Sequence, residues 1–406
     1  MERMNFAQKS CLLFVIPFLI FSSCSPTDEV ELPEQIRELG NLTVYPTDAE
    51  PESEIQLIRE EAFGDTEKIM IGSMGNIVVD ERGRVFIADD QLYTIHVFNA
   101  DGSYETAFGR EGRGPEEFQS FSSMEIYDNQ FYVYDYMQHR ISSFSLDSFM
   151  ISRMINLNTD NWSHIQDLEN SFPAAPLFIR DSYTFLMRFR ERPQPDHISY
   201  DRHYLLNDQG EIISDLIFKQ RGAELLVTSE GGRITNVLPS PFIRNSLMVV
   251  SENGLIFSAW TEDFLIRIYD EEGNYLRSFY YPYPQSRLNR QDILELYQDQ
   301  DPFVQQLYRN ADFPDTWPAL HHMLLDDEQR LWVSTISNDE EHYTWWVLNE
   351  GGQLLAKFNW PGVRLRRLEN ENMIEVIKDG YAYIREVNEE TGHQQIVRYR
   401  IELEEI

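Results

Sequence analysis

Three sets of side chains in this chain carry chemistry that depends on where they converge. Asp89 and Asp135 each end a short apolar run, VFIAD and FYVYD, and Arg188, Trp260 and Glu386 stand near the same place in later runs. Carboxylates, a guanidinium and an indole around one mouth suit a polar ligand, because such sites combine a few placed polar groups with aromatic surface. His322, Glu375 and Asn76 form the second set: an imidazole, a carboxylate and an amide that meet would hold a divalent ion. The third set lies in GREGRGPEEF at 109–118, where glycines with Arg110 and Arg113 suggest a phosphate cradle. A phosphate loop opens a helix and carries Lys-Ser/Thr, whereas Pro115 and a further strand follow here, so a connector is the better reading. Asp89 and Asp135 also have a plainer role, accepting hydrogen bonds from turn amides. No G-x-S-x-G elbow and no H-E-x-x-H helix occurs. His321 and His322 are adjacent and point to opposite faces of a strand, so His321 competes for the inward position.

The elements that position these groups are strands. Residues 76–109 read as four short strands, NIVV, VFIA, TIHVF and YETAF, separated by polar, glycine-bearing turns. Four antiparallel strands joined in this way make one blade of a propeller. The second strand recurs at Val85, Phe131, Tyr183, Leu255, Leu331 and Tyr381, with spacings of 46 to 76 residues. The outer hairpin recurs as VFNADGSYETAF, LLNDQGEIISDLIF, RIYDEEGNYLRSFY and WVLNEGGQLLAKF, with a weaker, glycine-free copy in blade two. The longest interval holds QDILELYQDQDPFVQQLYRN, which has helical spacing and predicts an insertion at about 286–318. The count is six blades, in an all-β fold. After Tyr381 only QIVRYRIEL remains, so the N-terminal strand IQLIREEAFG is expected to complete the last blade and close the ring. Each blade's first strand lines the central channel, and counting back from the turns places Asn76, His322 and Glu375 there.

The pattern of blade one, VDERGRVFIAD, then VFNADG, then FGREGRGPEEF, resembles an NHL-type repeat. With FPDTWP before the strand Leu331-Trp332-Val333, the chain resembles six-bladed β-propeller lipoproteins of Gram-negative cell envelopes. That resemblance implies a binding module or scaffold rather than one activity, because fold does not fix function. It also leaves open a metal-dependent hydrolase or lyase, lactonase-like, that uses a divalent ion in the central channel.

Export is written at the N-terminus. Arg3 and Lys9 precede the apolar run at 11–21, which is 11 residues long, and Ser22-Ser23-Cys24 follows. The run is too short for the ~20 residues of a membrane span. Its ending resembles a lipobox, with Phe21 where Leu is usual, which makes residues 1–23 a signal peptide and Cys24 the lipidated residue. Residues 24–50, acidic and proline-bearing, read as a tether, and 51–406 as the propeller. The expected partners are the lipid bilayer through Cys24 and either an envelope protein or a small polar or carbohydrate ligand, at the outer membrane. Loss of Cys11 with the signal leaves one cysteine and no intrachain disulfide. A net charge of −34 excludes nucleic-acid binding, which needs a basic footprint.

Overall fold

The computed structural model describes residues 32–65, 69–181, 183–194, 197–230, 233–238, 242–362 and 372–405. The signal peptide expected at 1–23, Cys24 and the start of the tether lie outside the described residues. The chain divides into two compact units, Met1–Leu39 and Gly40–Ile406. The described part of the first holds one helical turn, Glu34–Arg37.

The second unit is a six-bladed β-propeller. Blade 1 is formed by Met74–Val79, Val85–Asp89, Thr94–Phe98 and Tyr104–Phe108, paired antiparallel in chain order. Blade 2 begins at Ser123–Tyr127, blade 3 at Ser171–Asp181, blade 4 at Ser246–Val250, blade 5 at Leu320–Leu325 and blade 6 at Met373–Lys378. These first strands follow one another around the ring, each approaching the next, and the sixth returns to the first.

Turn chemistry sets the strand ends. Asp80 Oδ1 accepts from the backbone N–H groups of Arg82 and Arg84 at 2.9 and 2.8 Å, and Gly83 takes φ +73°. Asp326 repeats the device in blade 5, accepting from Arg330 N at 2.8 Å and from Trp332 Nε1 at 2.7 Å. Side chains then alternate between neighbouring blades. Phe86 and Ala88 pack towards blade 2, and Val85 and Ile87 towards blade 6. Both faces of a middle strand are therefore covered, so every residue of Val85–Asp89 is buried although polar residues flank it.

The ring closes as the sequence predicts. Ser53–Phe63 pairs antiparallel with Gln394–Glu405 along its length, from Ser53↔Glu405 to Phe63↔Ile396. Phe63, fully buried, seats between blades 6 and 1 against Phe98 and Tyr383.

The segment expected to be a tether needs correcting in its second half. Leu42–Val44 pairs parallel with Tyr275–Tyr280, the outer strand of blade 4. Tyr45 stacks on Tyr281 at 4.8 Å, and Ser53–Glu54 pairs parallel with Ala356–Lys357 of blade 5. The chain thus straps the outer edges of two blades before completing the third. LTVY is rich in strand formers but too short for its alternation to register against the acidic surroundings.

The insertion contributes two helices, Arg290–Leu296 and Pro302–Asn310, each started by an Asx cap, Asn289 and Asp301. Ile293, Tyr297 and Tyr308 pack with Phe242, Trp317 and Ile336 into a small core of their own. Ile336 ends the second strand of blade 5, so the insertion builds on the face that carries Asp89 and Asp135.

Truncating Phe63 removes a buried ring at the closure and leaves a cavity. Phe63→Ala is expected to destabilise the protein by about 3–5 kcal/mol, measured by urea unfolding. A loss below ~1 kcal/mol, the size of a typical surface change, would mean that the N-terminal strand does not hold the ring.

Candidate functional site

Asp89 and Asp135 are turn anchors. Asp89 is fully buried; its Oδ1 accepts from Gln91 N and Leu92 N at 2.9 and 3.1 Å, and its Oδ2 from Gly72 N at 3.2 Å. Asp135 does the same in blade 2, accepting from Gln138 N, Ser120 Oγ and Gln119 N at 3.1, 2.9 and 2.7 Å. Each carboxylate ties the turn after the second strand to the segment that leads into its blade. Acceptors engaged this fully leave little for a ligand, and both residues drop out of the expected rim.

The glycine-rich loop is likewise self-satisfied. Glu117 Oε2 accepts from Arg113 N and Gly114 N at 2.9 and 2.7 Å, and its Oε1 from Arg110 Nε at 3.0 Å. A carboxylate already fills the place a phosphate would take. Arg140 and Gln138 of blade 2 hold the loop's carbonyls, Arg140 Nη1 to Gly114 O at 3.0 Å and Gln138 Nε2 to Gly112 O at 3.1 Å. It is a connector between blades.

Glu386 is engaged by the Tyr399 hydroxyl and by Arg59 at 3.5 Å, away from any described cleft. Arg188 turns towards blade 4, 3.9 Å from Asp201. Trp260 carries the guanidinium of Arg221 4.3 Å above its ring. The five expected ligand residues therefore do not share one rim.

His322, Glu375 and Asn76 do not assemble as metal ligands. Glu375 Oε1 accepts from Arg385 Nε at 2.6 Å, and Arg385 also donates to the carbonyls of Met74 and Gly75 at 2.7 and 2.6 Å. Asn76 Nδ2 donates to Phe121 O at 3.0 Å. A guanidinium beside the carboxylate repels a cation, and it serves instead to staple blade 6 to blade 1. Among the described residues no three His, Cys, Asp or Glu side chains cluster as metal ligands. His322 packs edge-on to Trp345 at 6.4 Å, and His321 lies on the Tyr343 ring at 4.2 Å with Nδ1 3.3 Å from Ser334 Oγ. A bulge at this point of the strand lets both imidazoles lie towards the same blade face. His321 has an exposed side chain, yet the protein packed around its ring, and then His322 beside it, lower its pKa to about 3. Burial lowers that of His322 to about 4.

The broadest described cleft lies elsewhere on the face that bears the insertion, with a volume of about 560 Å³. Its walls come from three segments distant in sequence, with His197 and Ser199, Arg221 and Glu224, and Asn310 and Asp312 among the lining residues. Arg221 Nη2 bonds Glu224 Oε1 at 2.7 Å while its plane covers Trp260. His197 Nε2 lies 3.0 Å from Glu191 Oε1. Arg244 fastens the insertion beside the cleft: its Nη1 donates to Phe242 O at 3.1 Å and its Nη2 to Thr316 O at 3.0 Å. Donors and acceptors of both charges suit a polar ligand with several hydroxyls. None of the expected residues lines this cleft; Trp260 lies behind it, under Arg221. The residues that build it sit in loops or at the ends of elements without a motif, so no sequence signal marked them.

The half-buried His322 carries a testable pH dependence. An unfolded histidine binds its proton near pH 6.5, whereas folded His322 stays neutral down to about pH 4. Its contribution is full above pH 6.5 and is lost as pH falls towards 4. His322→Gln is expected to lose less stability than the parent between pH 6.5 and 4 in urea titrations. Equal slopes would show that His322 is protonated in the fold.

Residues 64–216 match the family model DUF5128, described as a 6-bladed β-propeller. No curated protein matches the chain. Among solved structures the chain is similar to a member of the DUF4221 family from Bacteroides vulgatus, 13% identical over 87% of this chain and 100% of that one, with a TM-score of 0.53. It is also similar to a Bacteroides fragilis protein, 13% identical over 89% and 99%, TM-score 0.48. The calcium-binding protein regucalcin from Agrobacterium tumefaciens is 9% identical over 90% and 97%, TM-score 0.43. At such identities the likeness concerns fold alone; the family model and the strand order make the chain a six-bladed β-propeller.

Proposed function

We propose that this protein is an exported lipoprotein, anchored to the cell envelope through Cys24, whose propeller binds a polar ligand on the face that carries the helical insertion. The single observation that supports the binding reading is the cleft of about 560 Å³, where Arg221 over Trp260 stands beside His197, Glu224 and Asp312. A sugar or another hydroxyl-rich molecule suits this lining, because closely set donors and acceptors of both charges recognise such compounds without a net charge. The anchoring reading rests on the basic start, the apolar run at 11–21 and Ser22-Ser23-Cys24. Attachment by more than one acyl chain would hold the protein stably at a bilayer, since one chain binds only marginally.

Two measurements test this. Radiolabelled fatty acid is expected to label the protein in cells, and Cys24→Ser to abolish labelling while leaving the fold intact; labelling that survives the substitution contradicts the anchor. In a thermal-shift screen of neutral and acidic saccharides, a ligand at 100 times its Kd should stabilise the parent by about 2.7 kcal/mol. The shift should vanish in Trp260→Ala and Arg221→Ala. A ligand whose shift survives both substitutions binds outside the cleft and overturns this reading.

A further inference from the structure

The contacts between blades are not equivalent. Apolar clusters join blades 1 and 2, 2 and 3, 4 and 5, 5 and 6, and 6 and 1. Among the described residues no such cluster joins blades 3 and 4. Phe185, Met187 and Phe189 of blade 3 face blade 2, so by alternation Arg188 and Arg190 face blade 4. His203 pairs directly with Arg188, and Asp201 with Arg190, on the neighbouring strand. From blade 4, Ser258 Oγ meets Gln220 Oε1 at 3.2 Å across the seam. The described ring contacts there are Phe218 against Tyr269, at 4.7 Å, and Arg221 over Trp260, at 4.3 Å.

This seam has two unmet hydrogen-bonding groups side by side. His203 is fully buried, and its Nδ1–H donates to Phe218 O at 3.2 Å, which leaves Nε2 as a bare acceptor with no partner. Burial lowers its pKa to about 4, which keeps the ring neutral at pH 7. Beside it the Arg188 Nε–H is a buried donor with no hydrogen-bond partner, the Asp201 carboxylate lying beyond hydrogen-bond reach at 3.9 Å. Arg188 lies 3.9 Å from Asp201, while Arg190 bonds the same carboxylate at 3.2 Å. Two guanidiniums thus share one carboxylate, which leaves positive charge in a chain of net charge −34. Arg188 keeps a quarter of its side chain exposed, and its partner on the first strand is the small Ala175. Buried polar groups almost always find a partner, so adjacent orphans of opposite kind mark a place for one.

We propose that the seam between blades 3 and 4 binds a small hydroxylated oxyanion, whose anionic oxygens accept from Arg188 and whose hydroxyl donates to His203 Nε2. Hydrogen phosphate and the carboxylate of a hydroxy acid both present that pair of groups. The site shares no lining residue with the cleft, and it stands or falls separately from it.

The test is calorimetric titration of the full-length protein in detergent with sodium phosphate, sodium glycolate and sodium sulfate at fixed ionic strength. Saturable one-site binding is expected for phosphate or glycolate, with sulfate weaker because it carries no proton at neutral pH. Which of the first two binds more tightly identifies the source. Arg188→Gln should weaken binding ~10-fold or more, the usual size of a lost charged hydrogen bond. His203→Phe should also weaken it, while Asp201→Asn should tighten it by removing the competing carboxylate, a gain that a merely structural role would not produce. Arg221→Gln, in the cleft, should leave it unchanged. If Arg188→Gln does not fold, Arg188→Lys serves, keeping the charge but losing the fork, with weaker binding expected. Absence of saturable binding by either oxyanion in the parent means that water satisfies both orphans and overturns the proposal. So does binding that follows Arg221 rather than Arg188, or sulfate binding as tightly as phosphate.

Discussion

Everything in this fold depends on the pairing of Ser53–Phe63 with Gln394–Glu405. A propeller is a closed ring of sheets, and an unclosed ring would leave the last blade with an open strand edge and an exposed apolar face. Here the two partners are separated by almost the whole chain, so closure carries the loop-ordering entropy of the entire ring, although that entropy grows only slowly with length. The pairing is correspondingly long, and it is backed by contacts that cross the same junction. Phe63 fills the apolar seam, Arg385 donates to two carbonyls of blade 1, and Arg398 Nη1 donates to Ala100 O at 2.8 Å. Arginine suits this work because its planar fork reaches two acceptors at once.

Closure explains why some sites that look chemical are structural. Glu375 orients Arg385, and Arg385 staples the junction, so the carboxylate that would serve a channel metal is part of the lock. Asp89 and Asp135 anchor turns to the connectors that carry the chain from blade to blade. The polar groups that the ring does not use are left over. They gather between blades 3 and 4, where polar side chains replace the apolar packing found at the other seams, and in the neighbouring loops fastened by Arg244 to the insertion.

Much of the fold was legible because each blade repeats local chemistry. Asx turns at Asp80 and Asp326, glycines at φ +73° and +78° in Gly83 and Gly102, and doubly covered apolar strands all have short-range signatures. The closing strand was legible as well, since IQLIREEAFG supplies what the last blade lacks. The strap at Leu42–Val44 was not, because three residues cannot display a period. Neither was the fate of Glu375, which turns on the reach of an arginine in the next strand, nor the bulge that puts His321 and His322 on one face. The cleft escaped because His197, Arg221 and Asp312 meet only once three loops have been brought together by the ring. Long-range juxtaposition of loops leaves no periodic trace in a sequence.

The account as a whole holds that closure sets global stability and that the blade 3–4 seam is the weak one. Native-state hydrogen exchange measures both at once, because amides held by the strongest contacts exchange only through global unfolding. Amides of Ser53–Phe63 and Gln394–Glu405 should share the highest opening free energy, with Tyr200–Leu206 and Phe218–Arg221 of blade 3 opening at a clearly lower one. Faster exchange in Ser53–Phe63 than in the blade 3 strands would contradict the account, and so would equal protection across all seams.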